Sequence, residues 1–218
     1  MQRKLALRVG VVGDLPKTVA YSLLRPAMRL PTFGPSVVRQ NTLARLLEEL
    51  AGGRLHFVLS DAPPHEASAH RVFAHVLGDS EILLYGAPRL ARKYRTRFPE
   101  SLQRAPLLLP APPSSLRRQI DRWLVERGLS VELTGEFDDA GLMRAAGIHG
   151  EGLFPVRAAI QAEIEESKSV ALVGALEGVV ERYYVLSTER RVRHPAVTAV
   201  IEHGRSELSR TVEPRAHA

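Results

Sequence analysis

Cysteine is absent from the 218 residues, and that one absence removes disulfides, thiolate metal sites, iron–sulfur clusters and cysteine nucleophiles together. Long apolar runs are missing too. No stretch approaches the roughly 18 consecutive apolar residues of a membrane span. Arg8 interrupts the apolar opening after Leu5, Ala6 and Leu7, so the start does not read as a secretory signal. A cytoplasmic protein with no membrane partner is the simplest expectation. Neither a Gly-x-Ser-x-Gly elbow nor a Walker loop occurs. The glycine-rich 147–152 segment precedes a strand instead of following one, which is the wrong order for cradling a phosphate. Asp138 and Asp139 are adjacent, hence splayed at a helix start, which suits no shared-proton dyad. No catalytic residue and no resident cofactor is expected.

The composition itself is that of an ordinary globular protein, 44% hydrophobic and 25% charged. The length fits one domain or two lobes of roughly 100 residues each. Thirty Lys and Arg against 24 Asp and Glu give a net charge of +6, a modest excess for this length. One stretch concentrates it: Arg89, Arg92, Lys93, Arg95, Arg97 and Arg104 face the single acid Glu100. Arg89, Lys93 and Arg97 share a helical i, i+4 face, and a solvated helix surface is the plain expectation. His65, His70 and His75 recur every five residues, a spacing that fits neither one helix face nor one strand face, so no metal site is expected of them.

Read for periodicity, the chain repeats one order of elements. A β-branched strand over 7–13 leads through Pro16 into a helix that Pro26 should kink or end. A strand over 36–40 meets Asn41, expected to cap a helix over 42–50, and Gly52-Gly53 stops it before a strand over 55–60. About 100 residues later the order recurs. Strands are expected over 107–109, 130–134 and 152–154. Helices begin at Ser114 or Ser115 and at Asp138 or Asp139, and Gly128 and Gly147 mark their ends. Residues 81–85 and 180–187 read as connecting strands, and 195–203 as a short helix before a polar tail. Such alternation predicts an α/β fold of two Rossmann-like lobes joined by a two-strand hinge. The boundaries are residues 1–81 with 186–205 for lobe I, 82–185 for lobe II, and 206–218 for a flexible tail.

In open α/β sheets ligands bind outside the carboxyl ends of the strands, where helix N-termini converge. Those positions here are Gly13, Asp14, Asn41, Thr42, Asp61, Ala62, Glu136, Phe137 and Phe154. Asp14, Asp61 and Glu136 make the set acidic, which suits a cation, whether an amine or a hard metal ion with oxygen ligands, better than an organic acid. Tyr21 and Leu24, and Ile120, Trp123 and Leu124, are large apolar residues at helical spacing, to be buried against their own sheets or used in a partner contact.

Residues 7–12 (LRVGVV), 55–63 (LHFVLSDAP) and 189–197 (ERRVRHPAV) resemble the effector-binding half of LysR-type transcriptional regulators. Residues 135–144 (GEFDDAGLMR), with 107–110 (LLLP), 115–118 (SLRR) and Trp123-Leu124, resemble its NhaR-like subfamily, associated with sodium and lithium response. The resemblance runs from about Leu5 to about Ile201. It implies a type II periplasmic-binding-protein-like fold, a small effector in an interlobe cleft, with Na⁺ or Li⁺ at Asp14, Asp61 and Glu136 as a candidate, and a homodimer or tetramer. In such proteins helices of the two lobes pair antiparallel between subunits, which would place Tyr21, Leu24, Ile120 and Trp123 at a dimer interface. LysR-type regulators begin with a winged helix-turn-helix, and no such segment precedes the first strand, so DNA is expected as a partner only through a domain absent from this chain. A stand-alone solute-binding protein and an enzyme on the same scaffold are the competing readings.

Overall fold

The computed structural model describes residues 5–13, 15–64 and 71–210. Asp14, His65 and His70 lie outside the described residues. The chain divides into two compact units: residues 1–79 with 182–218, and residues 80–181.

In the first unit β1 (Leu7–Val12) pairs in parallel with β2 (Ser36–Asn41) and β3 (Phe57–Ser60), and β3 pairs antiparallel with the end of β8 (Ala171–Ser187). The connection between β1 and β2 is α1 (Lys17–Met28), and between β2 and β3 it is α2 (Leu43–Ala51). Pro26 sits inside α1, which ends two residues later at Met28; a proline has no N–H to donate to the carbonyl of the preceding turn. The α2 face carrying Leu46, Leu47 and Leu50 packs on Val12, Leu55 and Val58. Gly10 makes this approach possible: a Cβ there would come within 2.9 Å of Leu46 and Leu55. On α1, Val19, Ala20, Leu23, Leu24 and Ala27 are buried, and α1 packs along α7 (Pro195–Arg210). The helix expected to stop near 203 thus continues, and residues 206–210, expected in a flexible tail, belong to it. Gly204 does not end α7. It lets the helix lie close to Leu77 and Leu23, and Leu208 is buried beside Gly78.

The second unit is built on β4 (Phe73–Gly86) and β8, both far longer than the connecting strands the sequence suggests. β4 pairs antiparallel with β7 (Phe154–Arg157), and β5 (Pro106–Pro110) pairs in parallel with β6 (Glu132–Phe137). A bridge from Leu107 to Leu153 joins β5 to the start of β7. Alternation along β4 feeds two cores. Ile82 and Leu84 pack with α3 (Pro88–Arg95), α4 (Ser115–Glu126) and β5, whereas Leu83 and Tyr85 pack with α5 (Ala140–Ile148) and α6 (Gln161–Glu166).

Two ion pairs sit where the chain passes between the units. Arg157 and Glu181 are bidentate at 2.9 and 2.9 Å, with side chains 7% and 8% exposed. The next residue, Arg182, grips Asp79 of β4 at 2.6 and 2.7 Å. That contact holds the Asp79 carboxyl below the usual carboxylate range.

The helical apolar stripes resolve mostly into core. Leu24, Ile120 and Trp123, expected at a subunit contact, are buried in the single chain, and only Tyr21 of that set is exposed, at 56%. Trp123 donates its indole N–H to the Glu177 carbonyl at 3.1 Å, stacks on Phe98 and carries the Arg127 guanidinium 4.3 Å over its ring. At the amino ends of β1 and β3, His56 and His194 stack with ring centroids 4.9 Å apart, against Phe33. The Arg8 N–H donates to His56 Nδ1, and among the described residues the buried His194 Nδ1 has no partner.

Three outcomes follow from this packing. Arg157→Ala, which leaves the Glu181 carboxylate buried without its guanidinium, should cost about 3–5 kcal/mol in urea unfolding, while Arg157→Met with Glu181→Leu should recover most of that loss. Trp123→Glu should cost about 3–5 kcal/mol by removing a core aromatic, whereas Tyr21→Glu should stay within about 0.5 kcal/mol. Burial lowers the pKa of both imidazoles; the positive charges of His194 and Arg8 add to the effect at His56, and Glu189 opposes it at His194. Since the folded-state values lie below the ordinary imidazole value of about 6.5, the unfolded chain binds more protons in that window. Stability from this pair is therefore fully present above about pH 6.5 and falls as pH drops below it. Thermal unfolding across pH 5–8 should show this loss, and His194→Phe should flatten it.

Candidate functional site

In the first unit the parallel register sets Val12 beside Asn41 and Val11 beside Leu59, so the three strands end side by side. The Gly13 N–H donates to the Asn41 carbonyl at 3.1 Å, and Gln40 Nε2 donates to the Gly13 carbonyl at 2.8 Å. Asn41 does not cap α2. Thr42 holds the N-cap position, and Asn41 Oδ1 accepts from the Thr42 N–H at 2.9 Å. Neither Thr42 nor Pro16, the N-cap of α1, supplies a side-chain acceptor, and neither helix has an acid in its first turn. The amino-terminal N–H groups of α2 thus face the strand ends without a protein carboxylate from their own cap, a setting that favours negative charge or a polar acceptor. Beside them Ser60, fully buried, donates to the Ala62 carbonyl at 2.7 Å and accepts from the Ala62 N–H at 3.1 Å, which fixes the loop carrying half-buried Asp61.

In the second unit the strand ends are Pro110 and Phe137, which pair directly. Ser114 caps α4 by accepting from the Arg117 N–H, and Asp139 caps α5 by accepting from the Leu142 N–H at 2.7 Å. Arg117 organises this edge. Its guanidinium contacts Glu136, donates to the Pro110 carbonyl at 3.1 Å, and holds both Asp121 oxygens at 3.0 Å. Burial disfavours the Arg117 charge, but the hydrogen bonds to Glu136 and Asp121 outweigh it and raise its pKa.

The candidate residues therefore separate. Gly13, Asn41, Thr42, Asp61 and Ala62 share one edge of the first unit. Glu136 lies on the second unit, exposed but engaged by Arg117. Phe137 is half-buried over Gly135. Phe154 is a core residue, 1% exposed, under α5, where a Cβ on Gly147 would come within 2.1 Å of its ring. Asp14, one of the three carboxylates proposed for a cation, is outside the described residues. Among the described residues no group of three or more His, Asp or Glu side chains is placed to hold a metal ion. Gln40, Ser60 and Arg117 were not legible as site residues. Ser60 carried a weak signal, as the last strand residue before an Asp-Ala-Pro-Pro turn.

Among the described residues no helix is long and apolar enough to cross a membrane. Residues 2–209 match the LysR substrate binding domain. The chain is 30% identical over 201 residues to the transcriptional activator protein NhaR of Escherichia coli K12, an alignment covering 91% of this chain and 65% of the relative. It thus spans just under two thirds of that relative's length. By structure it is similar to the bromide-bound regulatory domain of HypT from Salmonella typhimurium, with a TM-score of 0.66, 17% identity, and coverage of 96% of this chain and 98% of the other. It is also similar to the effector binding domain of QuiR in complex with shikimate, with a TM-score of 0.67, 12% identity, and coverage of 95% and 99%. The strand order, the site edges and the match across nearly the whole chain agree: this chain belongs to the LysR substrate-binding domain family.

Proposed function

We propose that the chain is the effector-sensing part of a LysR-type, NhaR-like transcriptional regulator. A small ligand engages the strand-end loops of the first unit around Gly13, Asn41, Thr42, Asp61 and Ala62. Binding biases the conformation of the two crossing strands β4 and β8, and through them the arrangement of dimer partners and of an attached DNA-binding region. Exposed Tyr21 and Met28 on α1, Val37 and Val38 on edge strand β2, and Val125 on α4 are among the apolar residues available for the dimer.

The observation that carries the effector chemistry is the α2 N-terminus, open and without a side-chain cap beside Gly13. It favours a small anion or a carboxylate-bearing organic molecule. The shikimate and bromide found with QuiR and HypT are of this kind. A second reading, Na⁺ or Li⁺ at the strand-end carboxylates, Asp14 and Asp61 of the first unit or Glu136 of the second, has support from the similarity to NhaR and from the acidic residues at these positions.

Thermal unfolding at one fixed ionic strength separates the two. A ligand at about 100 times its dissociation constant should stabilise by roughly 2.7 kcal/mol, and matched ionic strength removes general screening. Stabilisation by bromide or a hydroxycarboxylate such as shikimate, lost in Thr42→Asp, is the expected result. Stabilisation by NaCl and LiCl but not by KCl or choline chloride, lost in Asp61→Asn or Glu136→Gln, would replace the anion with the cation. Identical curves throughout would reject both ligands.

A further inference from the structure

The six cations of residues 89–104 have no part in the effector reading, and the structure leaves them unneutralised. Arg89, Arg92, Lys93 and Arg95 lie on α3, while Arg97 and Arg104 flank a 3₁₀ turn at Glu100–Leu102. All six are exposed, and among the described residues none of them forms an ion pair. The helix dipole accounts for Arg92, Lys93 and Arg95, which stand in the last turn, but Arg89 in the first turn works against it. Arg97 and Arg104 both hold left-handed backbone, at φ 60° and 58°, where Gly or Asn would be less strained. A surface needed only for solubility requires neither feature.

The chemistry of the patch selects its partner. Protein interfaces centre on apolar and aromatic anchors. The large exposed hydrophobic residues of this chain fall before residue 77 or after residue 124, and none lies in this segment. What the segment does offer is guanidinium, five of its six cations, the group that matches phosphate oxygens in bidentate pairs. A relative named as a transcriptional activator places duplex DNA within reach. We propose that the α3 surface of the second unit binds the phosphate backbone of duplex DNA without reading its sequence. This adds a contact from the regulatory domain itself to any made by a separate DNA-binding region, and it stands independently of the effector.

The test is fluorescence anisotropy of a labelled duplex of arbitrary sequence, about 25 base pairs long, titrated with the 218-residue chain from roughly 50 to 300 mM KCl. Binding should weaken steeply with salt, with a slope near −0.9 per phosphate neutralised. Arg89→Glu/Lys93→Glu/Arg97→Glu should lose roughly tenfold or more in affinity and flatten the slope by about two to three. Arg89→Lys/Arg97→Lys keeps the charge and should keep most of the binding, which separates charge loss from misfolding. An equal loss in Arg190→Glu/Arg191→Glu/Arg193→Glu with none in the α3 variant would overturn the assignment, as would the absence of salt-dependent binding at 50 mM. Displacement of the duplex by polyglutamate at equal charge concentration would overturn the preference for phosphate. Effector-induced stabilisation in salt-matched melts is read separately, so either result leaves the other reading standing or falling on its own.

Discussion

Glu181 and Arg182 are neighbours on β8, and strand geometry sends their side chains to opposite faces. Each finds its partner within its own unit: Glu181 meets Arg157 of β7 in the second, and Arg182 meets Asp79 of β4 in the first. The chain passes between the units only twice, at 79/80 and at 181/182, and these two pairs sit on those passages. The inner pair is dry and joins β7 to β8 across β4. Coulomb attraction in such a site is largely offset by desolvation, so its contribution lies less in net stability than in fixing which residues stand opposite one another. The outer pair is half open to water and adds little energy in isolation. Both pairs lie on the two long strands at the points where the chain leaves one unit and enters the other.

That arrangement was only partly legible. The parallel strands with their helices followed from β-branched runs, from Gly-Gly at the end of α2 and from Ser and Asp caps at the starts of α4 and α5, all local signals. Strands β4 and β8 were underestimated because their burial changes along their length, and glycines interrupt the pattern. Gly174 lies under the Phe98 ring, where a Cβ would come within 2.5 Å, and Gly178 takes a positive φ of 83°. In a one-dimensional reading a glycine signals a break, whereas here, as at Gly204 in α7, it marks a close approach.

The surroundings of the site residues were less legible for the opposite reason, since they depend on partners distant in sequence. Glu136 reads as a free carboxylate until α4 brings Arg117 against it from 19 positions away. The stripe containing Ile120 and Trp123 has the spacing of an interface, but helix spacing alone does not tell which face is turned inward. The Glu177 carbonyl that satisfies the Trp123 indole is 54 positions distant. The acidic character of the strand ends was therefore a property of the sequence that the fold partly removes, and the open helix terminus at Thr42 is one that only the fold supplies.

The arginines of this protein fall into two groups, and the difference bears on function. Arg117, Arg157 and Arg182 each bind two carboxylate oxygens and build the site edge and the strand crossing. Their charge is compensated internally and invisible at a distance. The cations of α3 and its 3₁₀ turn have no such compensation, so their field extends into solvent over about one Debye length, roughly 8 Å at physiological salt. A net charge of +6 over the whole chain conceals this division. Had the excess been spread evenly, it would affect solubility alone; concentrated on one eight-residue helix and the turn after it, it forms a surface that a line of phosphates can follow.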